Sequence, residues 1–194
     1  MNKRQFLASA GLGLASLPSL ATPAAGSDKA GPALLTLTGA IGKHNRGAFD
    51  PDFDQMLGKH KASFDKAYTF DFAALTRLPA VTIKPTLEYD GKVHTLRGPL
   101  LQDVLAAAGV SGDNYRLLIQ AIDGYAVMVP ISDIRKYRFI IATHRDGQAL
   151  PVGGLGPLWA VYDADRYPDI ASKPIKDRFA LCPWGVYHVA VQPT

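Results

Sequence analysis

The chain of 194 residues contains a single cysteine, Cys182. That scarcity excludes an internal disulfide framework, cysteine-rich zinc sites and iron–sulfur clusters ligated by this chain's own thiolates. Its five histidines, His44, His60, His94, His144 and His188, are scattered. No two lie three to five positions apart, as a helical or loop metal pair requires. No serine sits in a Gly-x-Ser-x-Gly elbow, and Cys182 has no histidine near it in sequence, so no hydrolase nucleophile is marked. The glycine-rich run from Gly153 to Pro157 lacks the Gly-Lys-Ser/Thr that cradles nucleotide phosphates and reads as a plain loop. Lysine and arginine form no cluster, which excludes a nucleic-acid-binding surface of the usual kind. No apolar run reaches the roughly 20 residues that a membrane-spanning helix needs.

What is present begins with an export signal. Lys3 and Arg4 precede an apolar stretch from Ala8 to Leu20, and small residues follow from Ala21 to Ser27, the charged, apolar, small-residue order of a secretory leader. Residues 1–26 are therefore expected to be removed, and 27–194 to form one domain of ordinary size in the periplasm, with no direct insertion into the membrane. Asn2-Lys3-Arg4-Gln5-Phe6-Leu7 is similar to the twin-arginine pattern, with lysine in place of the first arginine. The formal charge of +4 falls by two when Lys3 and Arg4 leave.

Within the domain, Leu34 to Thr38 has the character of a strand, and residues 52–67 suit a weak surface helix. Asp71 is placed to cap a helical turn that stops before Pro79. Val81 to Ile83 and Lys92 to Leu96 read as strands around the Asp90-Gly91 turn. Gly98-Pro99 is expected to open an amphipathic helix that Gly109 closes. Further strands are expected at Tyr115 to Ile122, Tyr125 to Val129, Phe139 to Ala142, Leu158 to Tyr162 and Trp184 to Val191. Strands dominate, helices are few and short, and there is no regular βαβ alternation, so the expected class is α+β with mixed sheet.

Candidate ligand groups cluster at predicted strand ends. A flat heterocycle needs aromatic faces to stack on and a carboxylate or carbonyl to accept its ring N–H and amino protons. Glu88 and Asp123 supply carboxylates, and Tyr89, Tyr125, Trp159, Trp184 and Tyr187 supply rings.

Several stretches, in order, resemble the sulfite-oxidase-like molybdopterin-binding domain family. Leu96 to Leu105 resembles its Trp-x-Gly-Val-x-Leu-x-Asp-Val-Leu segment, and Ala121-Ile122-Asp123-Gly124-Tyr125 its Asp-Gly-Tyr strand. Asp146 to Pro151 and Gly156-Pro157-Leu158 are similar to its Asn-Gly-x-x-Leu-Pro and Gly-x-Pro-Leu-Arg series. Phe70 to Pro79 matches the Phe-Asp-x-x-Ala-Leu-x-x-Leu-Pro of a small periplasmic branch. The resemblance implies the mixed α+β sulfite-oxidase fold.

It also implies a ligand. Catalytic members bind molybdenum through a cysteine thiolate, which would fall at about Thr82 to Tyr89, where this chain has none. Cys182 lies near the last strand, far along the chain, and Trp159 stands where a catalytic member has arginine. The expectation is a non-catalytic periplasmic protein that senses a pterin-like ligand through Glu88, Tyr89, Asp123, Tyr125, Trp159 and Trp184. It would regulate a membrane-bound signalling partner, a cyclic dinucleotide enzyme. The alternative is a molybdenum-cofactor-dependent oxidoreductase.

Overall fold

The computed structural model describes residues 31–194, so the expected export signal lies outside the described residues. Strands β1 (Leu35–Gly39), β5 (Tyr115–Ala121) and β11 (Val186–Pro193) run through the centre of a five-stranded sheet. Its edges are β2 (Tyr68–Phe70) and β6 (Ala126–Pro130), in the order β2-β1-β11-β5-β6. β1 runs parallel to β11 and every other pair in this sheet is antiparallel. A parallel neighbour needs a long crossover, and here the whole domain between its first and last strands makes that connection.

A second sheet has the order β3-β4-β8-β9, from β3 (Ala80–Ile83), β4 (Leu96–Pro99), β8 (His144–Arg145) and β9 (Gln148–Ala149). A third pairs β7 (Ile140–Ala142) with β10 (Trp159–Val161). The helices are short: α1 (Gln55–Lys59), α2 (Phe72–Arg77), α3 (Leu101–Ala107), α4 (Ile131–Lys136) and α5 (Pro168–Ala171). The class is α+β, as the lack of βαβ alternation implies. Leu37, Leu117, Ile119 and Val189 of the large sheet join Leu101, Val104, Phe139, Ile141 and Trp159 in one apolar core. No helix among the described residues is long and apolar enough to cross a membrane.

Local chemistry explains the matches and the misses. Asp71 caps α2 as expected, accepting from the Ala74 N–H at 2.6 Å. Gly98-Pro99, expected to open a helix, instead ends β4. A Cβ at Gly98 would come within 1.9 Å of the Ile141 carbonyl oxygen, so the glycine serves the close approach of β4 to β7. The helix begins two residues later, where the Leu101 N–H donates to the Phe139 carbonyl. The strand expected at Lys92 to Leu96 begins only at Leu96; before it, a single bridge joins Thr86 and Val93 across a looped arm. The helix expected over 52–67 contracts to α1, because Phe53 is exposed and Phe64 turns back to pack with Leu57, Ala67 and Tyr187. Helix α4 went unread: it has six residues, too few for a hydrophobic period to show.

Candidate functional site

Three segments meet at the end of the large sheet where β5 stops and β11 starts. The first is the β5–β6 turn. Asp123 Oδ1 accepts from the Tyr125 N–H at 2.9 Å, and Gly124 takes a positive φ of 92°. This aspartate-anchored turn is what the Asp-Gly dipeptide encodes. It is joined to β11 by the Ile122 N–H donating to the Gly185 carbonyl.

The second segment is the arm of residues 84–95, with Glu88 and Tyr89 at its tip. Its base is held from outside. The Thr86 N–H donates to Asp165 Oδ2 at 2.6 Å, and Asp165 Oδ1 accepts from Arg178 at 3.0 Å. The Leu87 N–H donates to the Lys92 carbonyl, closing the tip.

The third segment is the irregular stretch from Lys176 to Trp184. The same Arg178 anchors it, donating also to the Lys173 carbonyl, while the Arg178 carbonyl accepts from the Tyr162 hydroxyl. The Tyr125 hydroxyl donates to the Ala180 carbonyl at 2.8 Å, which fastens this stretch to the β5–β6 turn.

Between the three lies a cavity of about 250 Å³, lined by Glu88, Tyr89, Asp123, Tyr125, Lys176 and Trp184, with Phe179 and Cys182 among its other walls. Five of the six candidate residues thus border one space. The sixth, Trp159, does not reach it: the ring is fully buried, and its indole N–H donates to the Cys182 carbonyl at 2.9 Å. It supports the wall and offers no face for stacking. Tyr187 is also withdrawn, buried in the second core cluster with its hydroxyl 2.7 Å from His60 Nδ1.

The rings that do reach the cavity are partly open. Tyr89, Tyr125 and Trp184 are 54, 48 and 40% exposed. Partial burial, then the Glu88 carboxylate beside it, pushes the Tyr89 phenol up to about 12, so it stays a neutral hydrogen-bond donor. A second, more open hollow of about 620 Å³ adjoins, lined by Arg145, Asp146, Leu150 and Pro151, and Tyr89 and Trp184 border both. Lys176, Phe179 and Cys182 were not read from the sequence as site residues. The signal available was an apolar stretch without period, Phe179 to Trp184, just before a strand.

No family model matches the chain, and no curated protein matches it. Solved structures share the fold. A chain of the sulfane dehydrogenase SoxCD from Paracoccus pantotrophus is similar at a TM-score of 0.53 and 15% identity over 82% of this chain. The match spans 38% of that longer chain. At that identity the likeness is one of fold alone.

Does this cavity suit a molybdenum centre? The stretch from Thr82 to Tyr89, at the end of β3 and along the outgoing limb of the arm, holds no cysteine. The separation of Cys182 along the chain does not carry into space, since it borders the same cavity as Glu88 and Tyr89. Its side chain, however, belongs to the apolar core, against Tyr162, and burial pushes the thiol well above its ordinary value. A soft, accessible thiolate is the donor such a metal wants, and a neutral thiol packed inward is not one. Among the described residues no three His, Cys, Asp or Glu side chains gather as a metal-binding group. The donor set does not fit the metal. It does suit a flat polar heterocycle.

Proposed function

We propose that this protein binds a pterin-like heterocycle in the cavity between the arm, the β5–β6 turn and the Lys176 to Trp184 segment. Acting in the periplasm without catalysing a reaction, it reports occupancy to a membrane-bound signalling partner, a cyclic dinucleotide enzyme. The observation that carries this reading is the meeting of two carboxylates, Glu88 and Asp123, with the partly exposed rings of Tyr89, Tyr125 and Trp184 around one small space. Drug-sized ligands occupy about 300–1,000 Å³, so a cavity of about 250 Å³ suits a single bicyclic ring with its tail outside. A pterin presents an amino-pyrimidine edge rich in N–H donors, which carboxylates accept, and two flat faces, which aromatic rings cover. The export signal and the resemblance to the small periplasmic branch support the location and the partner.

Trp184 makes the reading easy to test. Titrating reduced pterins into purified protein is expected to quench tryptophan emission saturably at micromolar ligand, and the quench is expected to vanish in Trp184→Ala. No saturable change in the unaltered protein would overturn the proposal. Elemental analysis of the protein from its own periplasm checks the alternative, since one molybdenum per chain would establish the oxidoreductase reading instead.

A further inference from the structure

His94 sits on the return limb of the arm, outside the cavity, and both of its ring nitrogens meet carboxylates. Nδ1 is 2.7 Å from Asp146 Oδ2, and Nε2 is 2.9 Å from Asp90 Oδ2. A neutral imidazole has one N–H and one lone pair, so it donates to only one of the two carboxylates and leaves its lone pair to the Arg145 guanidinium. The imidazolium has two N–H groups and satisfies both. The other charged group facing the ring is Arg145, whose Nη2 lies 2.9 Å from Nε2 and whose Nε lies 3.2 Å from Nδ1. The guanidinium also approaches Asp90 at 3.6 Å and Asp146 at 3.4 Å. Two carboxylates facing Arg145 and a neutral His94 carry a net negative charge, and protonating His94 brings the four groups to neutrality. The same contacts raise the histidine above its ordinary value, Asp146 contributing most, then Asp90, with burial and Arg145 opposing.

What the cluster joins gives it a role. Asp90 follows Tyr89 at the tip of the arm, and its Oδ1 accepts from the Lys92 N–H at 3.1 Å. Asp146 lies in the β8–β9 turn, where its Oδ1 accepts from the Thr95 N–H at 2.9 Å. Tyr89, Arg145 and Asp146 line the open hollow beside the cavity, and Tyr89 lines the cavity itself. The charged cluster is therefore a clasp between the tip that carries Tyr89 and the hairpin opposite.

We propose that His94, as the imidazolium, is the positioning residue of the Tyr89 wall, so that ligand affinity falls when His94 loses its proton. This rests on the pterin reading of the cavity. The sign follows from the direction of the shift. A histidine whose folded value is raised holds its clasp fully below the ordinary value of about 6.5 and releases it as pH rises through the raised value. Losing one of the two hydrogen bonds to the carboxylates, and the cation's charge with it, is expected to weaken reduced-pterin binding about tenfold across that range.

The test has one arm that needs no ligand. In ligand-free protein, NMR titration of the His94 ring is expected to show a midpoint above 6.5, with the Trp184 indole N–H resonance moving at the same midpoint. The Trp159 indole, held by Cys182, is the fixed internal reference. In the second arm, dissociation constants for a reduced pterin are measured against pH. His94→Gln is expected to bind weakly at low pH and to flatten the alkaline loss. Asp146→Asn, which keeps the acceptor for Thr95, is expected to lower the His94 midpoint. A midpoint at or below 6.5, or the same pH profile in His94→Gln as in the unaltered protein, would overturn the proposal. If the titration behaves as expected and no pterin binds at any pH, the pterin reading fails and the clasp as a link between His94 and the wall stands.

Discussion

Trp159 and Trp184 face each other across one antiparallel bridge, yet one is wholly buried and the other 40% exposed. Trp159 belongs to the floor of the site, with Tyr162, Phe179 and the Cys182 thiol packed against the core. Trp184 belongs to the rim, with Tyr89, Tyr125 and the two carboxylates. The histidines divide in the same way. His188, in the sheet behind the floor, is 2% exposed and sits between Thr38 Oγ1 at 2.9 Å and Gln120 Oε1 at 2.6 Å. Since the amide oxygen only accepts, Nδ1 carries the proton and Nε2 accepts from the threonine hydroxyl. That leaves a satisfied neutral ring, whereas both ring nitrogens of His94 at the rim meet carboxylates, and only the cation donates to both. The floor is built by burial and the rim by charge, so the two respond oppositely to pH and to truncation.

Truncating the paired tryptophans is the hardest blow to that contrast. Trp159→Ala removes a buried ring and a hydrogen bond and is expected to destabilise the fold by about 3–5 kcal/mol. Trp184→Ala is expected to cost about 1 kcal/mol or less in chemical unfolding while abolishing the pterin response. Equal stability losses would erase the distinction between floor and rim.

Acid gives the next largest effect. Burial, then nearby His60, pushes His188 down to about 4, below its unfolded value of about 6.5. Stability from the neutral ring is complete above about 6.5 and is lost as pH falls toward about 4, because the unfolded chain takes up the proton first. The loss is expected to reach about 3 kcal/mol, read from urea midpoints against pH, and His188→Gln is expected to remove that acid limb.

The smallest effect concerns the seam between the two regions. Tyr125→Phe deletes the hydrogen bond to the Ala180 carbonyl and is expected to cost about 1 kcal/mol. A thermal shift that exceeds the Trp159→Ala loss would mean the rim carries the fold.

The same division explains what the sequence made legible. The apolar runs of β1, β5 and β11 were readable because burial writes a plain pattern, and the Asp71 cap and Asp123-Gly124 turn because short side chains hydrogen-bond locally. Gly98-Pro99 misled because its glycine answers to Ile141, forty-three positions away, a contact that no local pattern records. Glu88, Tyr89, Asp123, Tyr125 and Trp184 could be named from residue type and the family resemblance. Trp159 could not be told from Trp184 in that way, since both sit at strand ends and only the fold decides which one is covered. The cluster of Asp90, His94, Arg145 and Asp146 was invisible, because it joins two turns that meet only when β4 pairs with β8.

The central claim is that the rim holds a pterin without a metal. Its most direct test is a calorimetric titration of a reduced pterin into chelator-treated protein. The account predicts one saturable site with a micromolar dissociation constant, abolished by Trp184→Ala in a variant that remains folded. Absence of saturable heat in the unaltered protein, or binding that appears only after molybdate is supplied, would contradict it.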